Sequence, residues 1–117
     1  MRLIEQQMVN AIKQGKEWKK DNTKVVPFYN DKDYPVVTSV YLHGNKIAEI
    51  DNNSVEVYDG GWQSLTTKAR LNAIIKGLCD GYNQSIYQKQ FKWFIQDDAD
   101  GTGFTIPFEN GYTFARV

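Results

Sequence analysis

Residues 60–73, running Gly60-Gly61-Trp62-Gln63-Ser64-Leu65-Thr66-Thr67-Lys68-Ala69-Arg70-Leu71-Asn72-Ala73, gather the side chains best suited to contact chemistry. A glycine turn leads into a helix start, where exposed backbone N–H groups attract anions. Hydroxyls on Ser64, Thr66 and Thr67, with cations on Lys68 and Arg70, would bind a phosphate there, and Trp62 would stack on a base beside it. On a helical wheel the two cations flank opposite sides of the apolar stripe, so they point in different directions. Neither the GxxxxGK[ST] nor the GxGxxG spacing is present, so the segment is not a phosphate loop. A second reading needs no ligand: the turn folds Trp62 onto the core while the hydroxyls cap the helix. Trp62, Ser64, Thr66, Thr67, Lys68 and Arg70 form the candidate set for contact with a ligand or partner.

Three other groups of residues invite a chemical reading. Asp98 to Glu109 matches a twelve-residue calcium loop at positions one, three, six and twelve, with a threonine at five. Thr105 stands where an aliphatic residue is usual, and Pro107 opposes an exit helix, so an acidic hairpin turn is the preferred reading and no metal is expected. His43, the single histidine, sits beside Gly44 at a predicted hairpin tip, and the single Cys79 falls in a leucine-flanked helix, so a Cys-His pair is not expected. The carboxylates of Glu49, Asp51, Glu56 and Asp59 lie on or beside predicted strands, and sequence alone does not bring two of them into a cleft. No catalytic residue and no cofactor are assigned, and the chain is read as a non-enzyme with a carboxylate-based hydrolase left open.

Composition sets the outer limits. A chain of 117 residues fits one domain that buries roughly two-thirds of its unfolded surface. Lysine plus arginine and aspartate plus glutamate each total 14, so no global field draws the chain to nucleic acid or anionic lipid. The charge is nevertheless uneven: residues 1–24 are net basic, and residues 97–117 are net acidic. One cysteine allows no internal disulfide and suits a reducing compartment. No apolar run approaches the roughly 20 residues of a membrane span, and the N-terminus lacks the apolar core of a secretion signal. The expected location is cytosolic.

The elements that must position these residues follow from hydrophobic period. Leu3, Ile4, Met8, Ala11 and Ile12 recur at helical spacing over residues 2–14, with Gly15 as terminator. Lys16 to Tyr34 reads as an irregular, mobile connection with one short extended piece at Val25-Val26. From Val36 to Tyr58 the period is two, broken by Gly44-Asn45 and Asn52-Asn53, which predicts three antiparallel strands with Val40, Leu42, Ala48, Ile50, Val55 and Val57 on one apolar face. Leu71, Ile74, Ile75 and Leu78 predict a second helix over about 65–78, capped by Ser64 or Thr66 and ended by Gly81. Phe91, Trp93 and Ile95, then Phe104-Ile106 and Tyr112-Phe114, predict a C-terminal meander. The fold class is α+β: a single domain in the order α-β-β-β-α-β-β-β, with an antiparallel sheet of about five to six strands packed against two helices.

The Gly60–Ala73 segment, with Leu42-His43-Gly44-Asn45, Ile47-Ala48 and the opening helix Arg2 to Ile12, resembles a family of small bacteriophage proteins of unknown function. The resemblance covers roughly residues 1–78 and implies phage origin, with no activity or catalytic residue to carry over. Small phage proteins of this kind often bind and redirect host machinery. The expected function is therefore a non-enzymatic accessory protein acting in the host cytoplasm through a host or phage protein, with Trp18, Tyr29, Tyr34 and Trp62 as contact aromatics. The alternative is a nucleotide or nucleic-acid binding module, including one that sequesters a nucleotide immune signal. Homo-oligomer formation is compatible with either reading, and membrane association with neither.

Overall fold

The alternating apolar residues between Val36 and Tyr58 form the three predicted strands, and the sheet extends beyond them on both sides. The computed structural model describes residues 1–30, 35–98, 101 and 103–117. Strands β1 (Trp18–Lys20), β2 (Thr23–Phe28), β3 (Val37–Leu42), β4 (Asn45–Ile50) and β5 (Ser54–Val57) follow helix α1 (Leu3–Gln14) and precede helix α2 (Leu65–Leu78). Strands β6 (Gln84–Lys89), β7 (Lys92–Asp97), β8 (Phe104–Pro107) and β9 (Tyr112–Ala115) complete the chain. The result is one compact α+β domain with a six-stranded antiparallel sheet in the order β1-β2-β3-β4-β5-β9 and a separate three-stranded sheet, β6-β7-β8.

Register explains the core. Val25 pairs with Val40, Val40 with Ala48 and Ala48 with Val57, so one row of apolar side chains crosses four strands on a single face. Each of these side chains is fully buried. The α2 stripe of Leu71, Ile74, Ile75 and Leu78 packs into the same core as Met8, Val9 and Ile12 of α1, and each large aliphatic side chain buried this way contributes about 1.5–3 kcal/mol. Gly15 closes α1 in the left-handed conformation, with φ of +66°, as the sequence requires.

Several expectations are corrected. The extended piece expected at Val25-Val26 is the middle of β2, but Lys16 to Tyr34 contains two strands rather than an otherwise irregular connection: Thr23, Val25 and Pro27 oppose Leu42, Val40 and Thr38 on β3. A residue such as Lys24 between them faces the solvent side, which disguised the period. The C-terminal residues do not form one meander. The last strand, β9, leaves the small sheet and pairs with β5, because Phe114 opposite Val55 extends the apolar face and is itself fully buried. Strand β6 was missed because its Gln-Ser-Ile-Tyr-Gln-Lys sequence has one strong apolar residue, Ile86. Phe91 lies in the β6–β7 turn with φ of +66°, not on the strand, and Leu3 is exposed outside the α1 stripe. Helix α2 ends at Leu78 with Cys79 as its cap, before Gly81.

Candidate functional site

The turn that carries Trp62 is built by one carboxylate and two glycines. Asp59 Oδ1 accepts the Gly61 N–H at 2.8 Å, its backbone oxygen accepts the Trp62 N–H at 3.3 Å, and its own N–H is held by Asn110 Oδ1 at 2.8 Å. Gly60 and Gly61 take φ of +72° and +92°, a region in which a side chain is strained. This turn presents the Trp62 indole to solvent, 76% exposed, and Leu65, three residues on in the chain, is 71% exposed. The expectation that Trp62 folds onto the core is not met.

The hydroxyls divide between capping and lining. Ser64 is the N-cap of α2: its Oγ accepts the Thr67 N–H at 3.1 Å and lies 2.8 Å from Thr67 Oγ1. Both side chains thereby serve the helix start, and Thr67 is buried. Trp62, Ser64, Thr66 and Thr67 nonetheless share the wall of a cavity of about 320 Å³ with His43 and Ile47. That volume lies at the lower end of the roughly 300–1,000 Å³ range of small-molecule sites. Lys68 is half-buried outside this lining.

Arg70 does not join the set. It is 5% exposed and turned into the protein, where its Nη1 donates to Glu5 Oε2 at 3.1 Å and its Nε to Thr23 Oγ1 at 3.1 Å. Glu5 Oε1 also accepts the Arg2 N–H, and Thr23 Oγ1 donates to Asn22 Oδ1 at 3.0 Å. The guanidinium fork thus joins α1, α2 and β2. The wheel placed Arg70 on the flank of the stripe correctly, but that flank faces α1 rather than water. A phosphate contact by Arg70 is therefore withdrawn: its Nε and Nη1 are engaged and the side chain is enclosed.

Asn72 is a further residue of the segment with a structural task that sequence reasoning did not assign. Its Nδ2 donates to the Ile86 carbonyl at 2.7 Å while its Oδ1 accepts the Ile86 N–H at 2.8 Å, so the amide pairs with β6 as a neighbouring strand would. The small sheet is docked to α2 in this way. Gln84 adds a second link, accepting from Asp80 N at 2.7 Å and donating to the Ala115 carbonyl at 3.4 Å.

The other candidates resolve into structural or solvent-facing roles. His43 forms the β3–β4 turn with Gly44, at φ of +53°, and its ring lies 3.4 Å from Asn22 Nδ2. Cys79 is buried, and loss of hydration pushes its thiol up to about 11, which leaves it a poor nucleophile at neutral pH. Glu49 and Glu56 are brought opposite each other on β4 and β5, yet Lys46 pairs with Glu49 at 3.3 Å and the Tyr58 hydroxyl donates to Glu56. That hydrogen bond pushes the Tyr58 phenol up to about 12. Tyr112–Ala115, just past the twelfth position of the loop, form a strand where a calcium loop requires an exit helix, and Asp100 and Thr102 of the loop lie outside the described residues, as does Tyr34. Among the described residues, no group of three or more His, Cys, Asp and Glu side chains is placed to hold a metal. No helix among them is long and apolar enough to cross a membrane.

Residues 1–115 match the family described as Kyanoviridae Gp96 protein. The chain belongs to this phage family. The match runs through the C-terminal strands as well, beyond residues 1–78, which carry the resemblance. The family's function is unknown, so membership supports phage origin and leaves the chemistry to the geometry. No curated protein and no solved structure matches the chain.

Proposed function

We propose that this member of the Kyanoviridae Gp96 family is a non-enzymatic accessory protein of the infected cell's cytoplasm that binds a host or phage protein through the surface around Trp62. The observation that carries the reading is the 76% exposure of an indole on a backbone turn organised by Asp59 and tethered through it to Asn110. An exposed tryptophan costs hydration free energy without contributing to the core, and a rigid aromatic loses little entropy when a partner covers it. Leu65 adds a second exposed apolar side chain in the same segment, and tryptophan is among the residues most enriched at binding hot spots. Tyr29 is less suited to the role, since its hydroxyl is already bonded to the Gly15 carbonyl, and Trp18 is half-buried against the core.

The cavity beside Trp62 favours a second reading, a nucleotide with its base on the indole and its polar edge toward Thr66 and the α2 N-terminus. With Arg70 withdrawn, Lys68 is the remaining cation of the original set. Affinity capture from infected host cells distinguishes the two. A protein recovered with the wild type and lost with Trp62→Ala supports the first reading, whereas capture unchanged in that variant overturns it. A retained small molecule in native mass spectrometry, absent from Trp62→Ala, supports the second.

A further inference from the structure

The outer face of the large sheet, turned away from both helices, carries a constellation separate from Trp62. Lys19 stands opposite Lys24, Lys24 opposite Tyr41, and Tyr41 opposite Lys46, so a single cross-strand row reads Lys-Lys-Tyr-Lys. With strands about 4.8 Å apart, the row spans roughly 14 Å. Lys19, Lys24 and Tyr41 line an open depression of about 540 Å³, with Asn22 and His43 beside them and Asp21 as its one carboxylate among the described residues. Lys19 and Lys24 are exposed, and Tyr41 is half-exposed between Lys24 and Lys46.

Charge on this face is divided. Lys46 is tied to Glu49 and lies 5.0 Å from the Tyr58 ring centre, and Glu49 opposes Glu56 across the next pair of strands. The β1–β3 half is therefore the cationic one, bounded by carboxylates on β4 and β5. Asn22 and His43 are held from inside: Arg70 bonds Thr23, Thr23 bonds Asn22, and Asn22 contacts His43. The buried ion pair thus orients the polar groups beside the depression.

The geometry points to this depression as a binding site for single-stranded nucleic acid, with Lys19 and Lys24 on phosphates, the Tyr41 ring under a base, and Asn22 and His43 beside the base edges. Lysines flanking an aromatic ring on an open sheet surface match the two demands of a single strand, backbone charge and an unstacked base face. A duplex offers the charge without the base face, and an acidic peptide has no base for the ring to stack on. His43 also walls the Trp62 cavity, so a strand passing the β3–β4 turn continues along a surface instead of meeting a barrier. The site goes beyond the function proposed above and does not depend on it.

The test is fluorescence anisotropy with a labelled oligothymidylate, the matching duplex and polyglutamate, over a range of salt. The site predicts preference for the oligothymidylate, with Lys19→Gln and Lys24→Gln each lowering the log–log salt slope by ~0.7, the value of one single-strand phosphate contact. Tyr41→Leu, checked for an intact thermal transition, should weaken binding about tenfold or more, within the range measured for a base on an aromatic ring. No binding by the wild type at low salt overturns the proposal. So does equal binding of all three probes, or a salt slope unchanged in both lysine variants, which remain informative if Tyr41→Leu fails to fold.

Discussion

Trp62 and Arg70 belong to one short segment of sequence, yet the first is 76% exposed and the second 5%. Upstream of the α2 N-cap the chain is a surface turn, organised by Asp59 and the two glycines, and its side chains are directed by that local geometry. From Thr67 onward the helix axis is set by packing against α1 and the large sheet. Arg70 then falls on a side of the helix that has no access to water. Residue type alone grouped the tryptophan and the arginine as ligand-binding partners, but the helix start divides them into a contact surface and an internal brace.

The comparison breaks most readily at the brace. Arg70→Ala should destabilise the domain by about 3–5 kcal/mol, because Glu5 is left charged and enclosed without its partner. Chemical denaturation measures this, and a loss under about 1 kcal/mol would show the pair to be solvated and the comparison mistaken, since that is the ordinary value of a surface pair. Combining Arg70→Met with Glu5→Leu should recover a large part of the loss, as apolar replacements of buried pairs commonly do.

Next in size is Asn72→Ala, which leaves the Ile86 N–H and carbonyl without their partners and should cost about 2 kcal/mol. Its signature is local: hydrogen exchange should accelerate in β6 more than in β3 or β4. Uniform acceleration would place the effect in the whole fold instead of in the docking of the small sheet.

Ser64→Ala removes the α2 cap and should cost about 1 kcal/mol. Ser64→Asp retains an acceptor at that position and should recover most of it, which the melting temperature reports. The smallest expected change lies at the exposed end: Trp62→Ala should alter stability by no more than about 0.5 kcal/mol, as for surface substitutions outside any structural feature. A loss of 2 kcal/mol or more would assign the indole a structural role and remove the reason for placing partner contact there.

How much was legible followed local signal strength. Helix α2 was predicted over its observed range because an apolar stripe, a serine cap and helix-forming neighbours agree. Strands β3 to β5 were legible because period-two alternation met two turn signals. Strand β2 is obscured by Pro27 and Lys24, and its assignment rests on pairing with β3. The β6–β7 turn, made by Gln90 and Phe91 with positive φ at both, carries no glycine or asparagine that would announce it.

By itself the sequence determined the α+β class, both helices, the apolar face of the central strands, the burial of Cys79 and the glycine turn ahead of α2. These are properties of period and local conformation, written within a few residues of where they act. Only the tertiary structure decided that β9 returns to β5, that Asn72 holds the small sheet, that Arg70 serves Glu5 and Thr23, and that Lys19, Lys24 and Tyr41 share a row. Each of these joins residues distant in the chain, and the direction of a polar side chain at such a junction depends on which surface packs against it, a choice that no local pattern encodes.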